Sequence, residues 1–297
     1  MGIGKGPAIL LMKESLRRPF NGRLLTLGRQ GVSISPYQLK HYAKLAGISL
    51  RMPIFSDPYA PMRDIDFFLL LGFSDMQSLD YSDYEGASIQ FDLNSGETPE
   101  EYREAFDVIY DGGTIEHIFH LPNVLKTLVW MLKPGGRLIH LNPASNHLEH
   151  SFYMFSPTFF YDYYKCNNFD VNYVQIVRYT ACHDYQYIVY DYFPGCFSGT
   201  SIGSGGLDTG MYMVHTVVTK AATSTSHVIP NQSMYAKDMW LQPKTALKGS
   251  LIRGFFKEET LRRWKQLLKQ NPIYPFYARC KLGLRKHGVP LQPSDRF

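Results

Sequence analysis

With 297 residues, 44% of them hydrophobic, the chain can bury the core of one large α/β domain plus an appendage, which excludes disorder as the default state. The net charge of +5 conceals two parts: residues 244–297 hold thirteen Lys and Arg against three Asp and Glu, about +10, so the rest is about −5. Four scattered cysteines with no CxxC pair exclude a zinc knuckle and a disulfide framework, and they fit a reducing cytoplasm.

Near the start, the apolar stretch PAILLM is about six residues long and is closely followed by Glu14. It is too short for a membrane span and lacks a small-residue cleavage site, so neither a signal peptide nor a span is expected. RLLTLG, residues 23–28, is a short apolar run ending in glycine and predicts a strand. SPYQLKHYAKLAG, residues 35–47, predicts a helix with a Ser cap, Pro at its first position and Gly at its stop. DIDFFLLLGF predicts a second helix, MQSLD a strand ending at Asp80, and ASIQFDLN a further short strand. FDVIYDGG reads as a buried strand, HLPNVLKTLVWMLKPGG as a helix, and RLIHLN as the next strand. After an aromatic-rich loop and helix, strands are expected at residues 169–179 and 211–220, paired as a hairpin at the sheet edge with residues 185–210 connecting them.

Strands alternating with helices imply parallel βαβ units, and ligands of such sheets bind outside the carboxyl ends of the strands. The candidate residues are therefore those ending each strand. Gly28, Arg29, Gln30 and Gly31 follow the first strand; Asp80 ends the second, placed to accept from a ribose diol or simply to sit in a solvated loop. Asp92, Leu93 and Asn94 follow the third, where they could meet an adenine or cap a turn.

The stretch FDVIYDGGTIEHIFHLPNVLKTLVWMLKPGGRLIHLNP, residues 106–143, resembles class I S-adenosylmethionine (SAM) dependent methyltransferases in its order of strand, helix and LKPGG turn. SLDYSDYEGASIQFDLN, residues 78–94, and HSFYMFSPTFFYDYY, residues 150–164, are similar to segments of some bacterial members, and the resemblance covers roughly two thirds of the chain. It implies an α/β, Rossmann-like class I methyltransferase fold, a mostly parallel seven-stranded sheet flanked by helices; the charge of the tail adds a basic C-terminal helical extension. The resemblance further implies SAM as cofactor, with Gly28, Asp80, Asp92 and Asp111 or Gly112 lining its pocket; Arg29, Gln30, Leu93 and Asn94 are cofactor-binding candidates by their place at the strand ends. GRQG departs from the usual GxGxG loop, and Arg29 could reach the methionine carboxylate as a charge-assisted donor.

Transfer to oxygen or nitrogen requires an acceptor held in line and relieved of its proton. His150 is favoured for that proton, then His147 and His117, with Glu116 and Glu149 as orienting groups. Glu116, His117 and His120 share a spacing that imitates a metal site, but no further cluster accompanies them and no metal is expected.

The organisation expected is a methyltransferase-like domain over 1–221, a linker over 222–243 and a basic extension over 244–297. Within the extension, residues 257–270 predict a helix with one apolar and one basic face. The expected function is cytoplasmic O-methylation of a small molecule or sugar, such as a glycan or secondary-metabolite precursor. The rival is a noncatalytic module with a degenerate loop, whose tail contacts a protein or an anionic surface. A nucleic-acid acceptor is disfavoured because DGGT stands where base-amine methyltransferases carry a DPPY or NPPF tetrapeptide.

Overall fold

The computed structural model describes residues 2–180, 187–198, 200, 205–233 and 295–296. The chain divides into two compact units. The first holds every described helix and strand. The described part of the second, Ser233 and residues within 194–208, includes a turn closed by Ser198 N donating to Gly195 O. The expected basic extension and its helix over 257–270 lie outside the described residues, apart from two residues of a short strand near the end.

In the first unit, a nine-stranded sheet runs in the order β3-β2-β1-β4-β5-β8-β6-β7-β9. β1 (Arg23–Leu27), β2 (Asp75–Asp80), β3 (Ile89–Gln90), β4 (Phe106–Asp111) and β5 (Leu132–Ser145) pair in parallel, giving the doubly wound, Rossmann-like half. β6 (Phe169–Tyr179), β7 (Ile188–Tyr192), β8 (Met211–Lys220) and β9 (Asp295–Arg296) are joined to it and to one another antiparallel. The sheet thus extends past the seven expected strands, because β7 and β9 continue it beyond β6. β8 and β6 do pair, as expected, but not as an edge hairpin: β8 lies between β5 and β6 and is buried along nearly its whole length.

Helices α2 (Pro36–Ala46), α3 (Asp64–Leu70), α4 (Leu121–Met131) and α5 (Pro157–Cys166) fall where the sequence places them. α2 has the full predicted punctuation: Ser35 and Gln38 form a capping box, Pro36 opens the helix, and Gly47 closes it in the left-handed conformation at φ 76°. The apolar start of the chain is helical too. α1 (Lys5–Arg17) buries seven consecutive residues from Gly6 to Met12, so it lacks the one-sided stripe by which a surface helix is recognised. Ahead of it, Ile3 bridges to Val32, with Ile3 N donating to Gly31 O and Ser33 N to Ile3 O.

LKPGG does not precede β5 but belongs to it, bulging between the Phe106–Leu132 and Val108–Arg137 pairs. A core of α1, α2 and α3 side chains covers one face of the parallel half, with Phe67, Phe68 and Leu24 fully buried. No helix among the described residues is long and apolar enough to cross a membrane.

Candidate functional site

The order 3-2-1-4 reverses direction between β1 and β4, so the crevice beyond Leu27 and Asp111 is where a ligand of such a sheet is expected. β1 ends at Gly28, whose N donates to Leu79 O at 2.7 Å and whose φ of 68° favours glycine. A Cβ on Gly28 would point between Thr114 Oγ1, 3.5 Å away, and Asp80 Oδ2, 3.6 Å away. The missing side chain therefore leaves the Asp80 carboxylate approachable. Asp80 Oδ1 accepts from Tyr81 N, while Thr114 Oγ1 donates to Leu27 O and closes the β1 side of the crevice.

The side chains of the GRQG loop turn away from this opening. Arg29 pairs with the buried carboxylate of Asp64 at the start of α3, at 2.8 Å, and reaches Gly86 O with its other arm. Its charge is thus largely answered within the protein. Gln30 folds back onto its own strand end, Nε2 donating to Leu27 O at 2.8 Å, and is 4% exposed. Its Oε1 has no hydrogen-bond partner among the described residues. It faces Gly112, where any Cβ would stand 2.6 Å from that oxygen and from the Tyr110 ring; Gly112 is required there by close approach.

After β3, Asp92 Oδ1 accepts from Asn94 N, and Leu93 is buried. The Asn94 amide accepts from His120 N, next to the start of α4, and its backbone O accepts from Asn123. Asn94 is thus engaged in tying the β3 loop to α4, the turn-and-cap alternative of the sequence reading.

Asp111 is fully buried and fully used. Oδ1 accepts from Thr114 N and Ile115 N, which fixes the DGGT turn; Oδ2 accepts from His140 Nδ1 and Asn142 Nδ2, each at 2.8 Å. His140 Nε2 in turn meets Tyr164 Oη at 2.6 Å. His140 and Asn142 lie two apart on β5, on the face that Asp111 shares through its pairing with His140. The alternation in RLIHLN carried that signal, and the sequence reading did not use it.

The turn delivers Glu116 into the interior at 0% exposure. Asn142 Nδ2 donates to its Oε2 at 3.0 Å, and its Oε1 has no hydrogen-bond partner among the described residues. Oε1 stands 4.0 Å from His117 Nε2 and 3.7 Å from His150 Nε2. Burial, and then the neighbouring Asp111 charge, push the Glu116 carboxyl up to about 7. Burial, and then His150, hold the His117 and His147 imidazoles below the ordinary histidine value. His147 lies tilted between His150 and Tyr179, at centroid distances of 5.7 and 6.0 Å. The three histidines expected to serve the acceptor are thus brought together, and Glu116 is beside two of them. Glu149 is exposed in the loop between, at φ 64°. His120 stands apart from the trio, because residues 115–117 form a single 3₁₀ turn and α4 begins only at Leu121.

No protein-family model and no curated protein sequence matches the chain. Among solved structures it is similar to the YcgJ protein of Bacillus subtilis, at 10% identity over 72% of this chain and 98% of that one, TM-score 0.38. It is similar to a SAM-dependent methyltransferase of Mesorhizobium loti, at 12% identity over 73% and 100%, TM-score 0.37. TehB of Haemophilus influenzae matches at 13% over 71% and 61%, TM-score 0.37. Similarity of this degree leaves the function to be argued from the crevice and the cluster.

Proposed function

We propose that the chain is a SAM-dependent methyltransferase acting on a hydroxyl of a small molecule or sugar in a reducing cytoplasm. The observation that carries this reading is the crevice at the strand-order reversal, where Gly28 withholds a side chain beside the approachable Asp80 Oδ2. The residues present fit a nucleoside cofactor. Asp80 would accept from the ribose hydroxyls, and Gly28 and Gly31 would bring bare backbone to it. Asp92 and Leu93 would line the base, with Gly112 and the buried Asp111 shaping the floor. Arg29, engaged by Asp64, serves as a wall and not as a free cation for the methionine carboxylate.

SAM supplies an electrophilic methyl group on a sulfonium. The protein's own task is positioning: His150, His117 and His147 mark the acceptor side, beyond the ends of β4 and β5, where a hydroxyl can be oriented for in-line attack. Asp111, Asn142 and the DGGT turn hold that side rigid through hydrogen bonds that involve no bound group.

Calorimetric titration of the full chain with SAM, in the presence of a chelator, tests the reading. Saturable binding is expected, with Asp80→Ala weakening it about 10- to 100-fold, the value of a hydrogen bond to a charged group. Absence of binding at roughly millimolar SAM, weaker than almost any working cofactor site, rejects it.

A further inference from the structure

Glu116, His117 and His150 form a group whose ligand-type atoms all lie within 4.8 Å of one another. We infer that these three side chains bind a first-row divalent cation, of the zinc, cobalt or manganese class, through one carboxylate oxygen and two imidazole nitrogens.

The donor set selects the metal. Two imidazoles with one carboxylate suit zinc and its neighbours, whereas calcium and magnesium take oxygen ligands almost exclusively. The spacing agrees. Two donors on a tetrahedral cation at about 2.0–2.1 Å stand roughly 3.3 Å apart, and Glu116 Oε1 is already 3.7 and 4.0 Å from the two Nε2 atoms. Those separations are too long for hydrogen bonds and need only slight side-chain rotation to close on an ion.

Glu116 Oε1 supplies the independent observation. It belongs to a fully buried carboxylate, it has no hydrogen-bond partner among the described residues, and it stands within 4.0 Å of both imidazoles. A buried carboxylate oxygen without a partner is costly, and a cation at this point offsets that cost. The supporting shell is in place as well: Asn142 Nδ2 fixes the other carboxylate oxygen, and Asp111 holds the same amide nitrogen. The histidine side chains are 46% and 33% exposed, so an ion can enter, and three protein ligands leave a coordination position open to solvent. The existence of the site stands apart from the methyl-transfer reading. Its use rests on that reading: the open position would take the acceptor's oxygen and orient it.

The experiment uses chelator-treated full-length protein titrated with Co²⁺ alone and followed by visible absorption, with Zn²⁺ added afterwards in competition. One equivalent per chain is expected, with ligand-field bands, no intense thiolate charge-transfer band, and displacement by Zn²⁺. His117→Ala and His150→Ala should each weaken binding by at least about tenfold, and His120→Ala should leave it unchanged. Glu116→Gln should also weaken it, provided circular dichroism shows native structure. Because both histidines are partly exposed, their variants keep the test decisive even if Glu116→Gln fails to fold. No Co²⁺ binding, a thiolate band, or affinity that survives the loss of both histidines would overturn the inference. Because SAM binding is measured with chelator present, and Co²⁺ binding without SAM, failure of one reading is distinguishable from failure of the other.

Discussion

His215 projects from β8 into a fully buried position, with its ring edge-on to Tyr173 at 5.2 Å and Nδ1 3.3 Å from Gln175 Oε1. Burial, and then the neighbouring Arg17 guanidinium, drive its pKa down to about 3. The folded protein therefore keeps this imidazole neutral where an unfolded chain, with a value near 6.5, takes up a proton. The stability associated with it is complete above about pH 6.5 and is lost as pH falls toward 3, by about 1.4 kcal/mol per pH unit. Urea unfolding at pH 7 and pH 5 should show the wild type losing about 2 kcal/mol more than His215→Gln between the two; equal losses would contradict the assignment. Other residues show how far the sequence alone reached at the site. The places of Gly28 and Asp80 at the ends of β1 and β2 were legible from the apolar runs that precede them. The spacing of Glu116, His117 and His120 reads only as an imitation of a metal site, and it is the folded loop after β5 that brings His150 to the first two. Asn142, His140 and Tyr164 were missed because their importance lies in a buried hydrogen-bonded chain that crosses from β4 through β5 to α5.

Among the elements, the segment after β8 departs most from its composition. Ala, Thr and Ser between residues 221 and 231 suggest a loose linker, yet residues 224–228 are strapped to the end of α5 by Asn167. That side chain, fully buried, donates to Tyr163 O and Val228 O and accepts from Thr225 Oγ1 and Val228 N. Asn167→Ala should release the strap locally, at a cost of about 1–3 kcal/mol. Native-state hydrogen exchange would report it as a rise of roughly 10- to 100-fold at the Val228 amide, with the β8 amides unchanged. Exchange at Val228 equal to that of the wild type would assign the strap to other contacts. The elements that sequence patterning revealed are those with one buried face, such as α2 and α4. α1 escaped because it is buried along a continuous run, and β7 because its five residues lie inside a stretch expected to be a connection.

At the scale of the whole molecule, one ion pair ties α1 to the middle of the sheet. Arg137 on β5 donates to Glu14 Oε1 at 2.6 Å and to the carbonyls of Arg18 and Pro19, while Tyr173 on β6 donates to Glu14 Oε2. Both charged side chains are about 4% exposed. Glu14→Gln leaves the buried guanidinium uncompensated and is expected to cost about 3–5 kcal/mol, read as a lower urea midpoint at unchanged slope. A shift within error of zero would show that the Arg18 and Pro19 carbonyls suffice to hold Arg137.

The position of β8 also constrains the order in which the chain can be assembled during synthesis. β8 separates β5 from β6 in the sheet, yet it is made after both. Until residues 211–220 leave the ribosome, the long β5 presents an unpaired edge and β6 has no partner linking it to the parallel half. The nascent chain thus passes through a stage with a long, hydrophobic, open strand edge, the form most prone to pairing with a neighbouring copy. β8, the last long strand among the described residues, is the one that closes this edge against self-association.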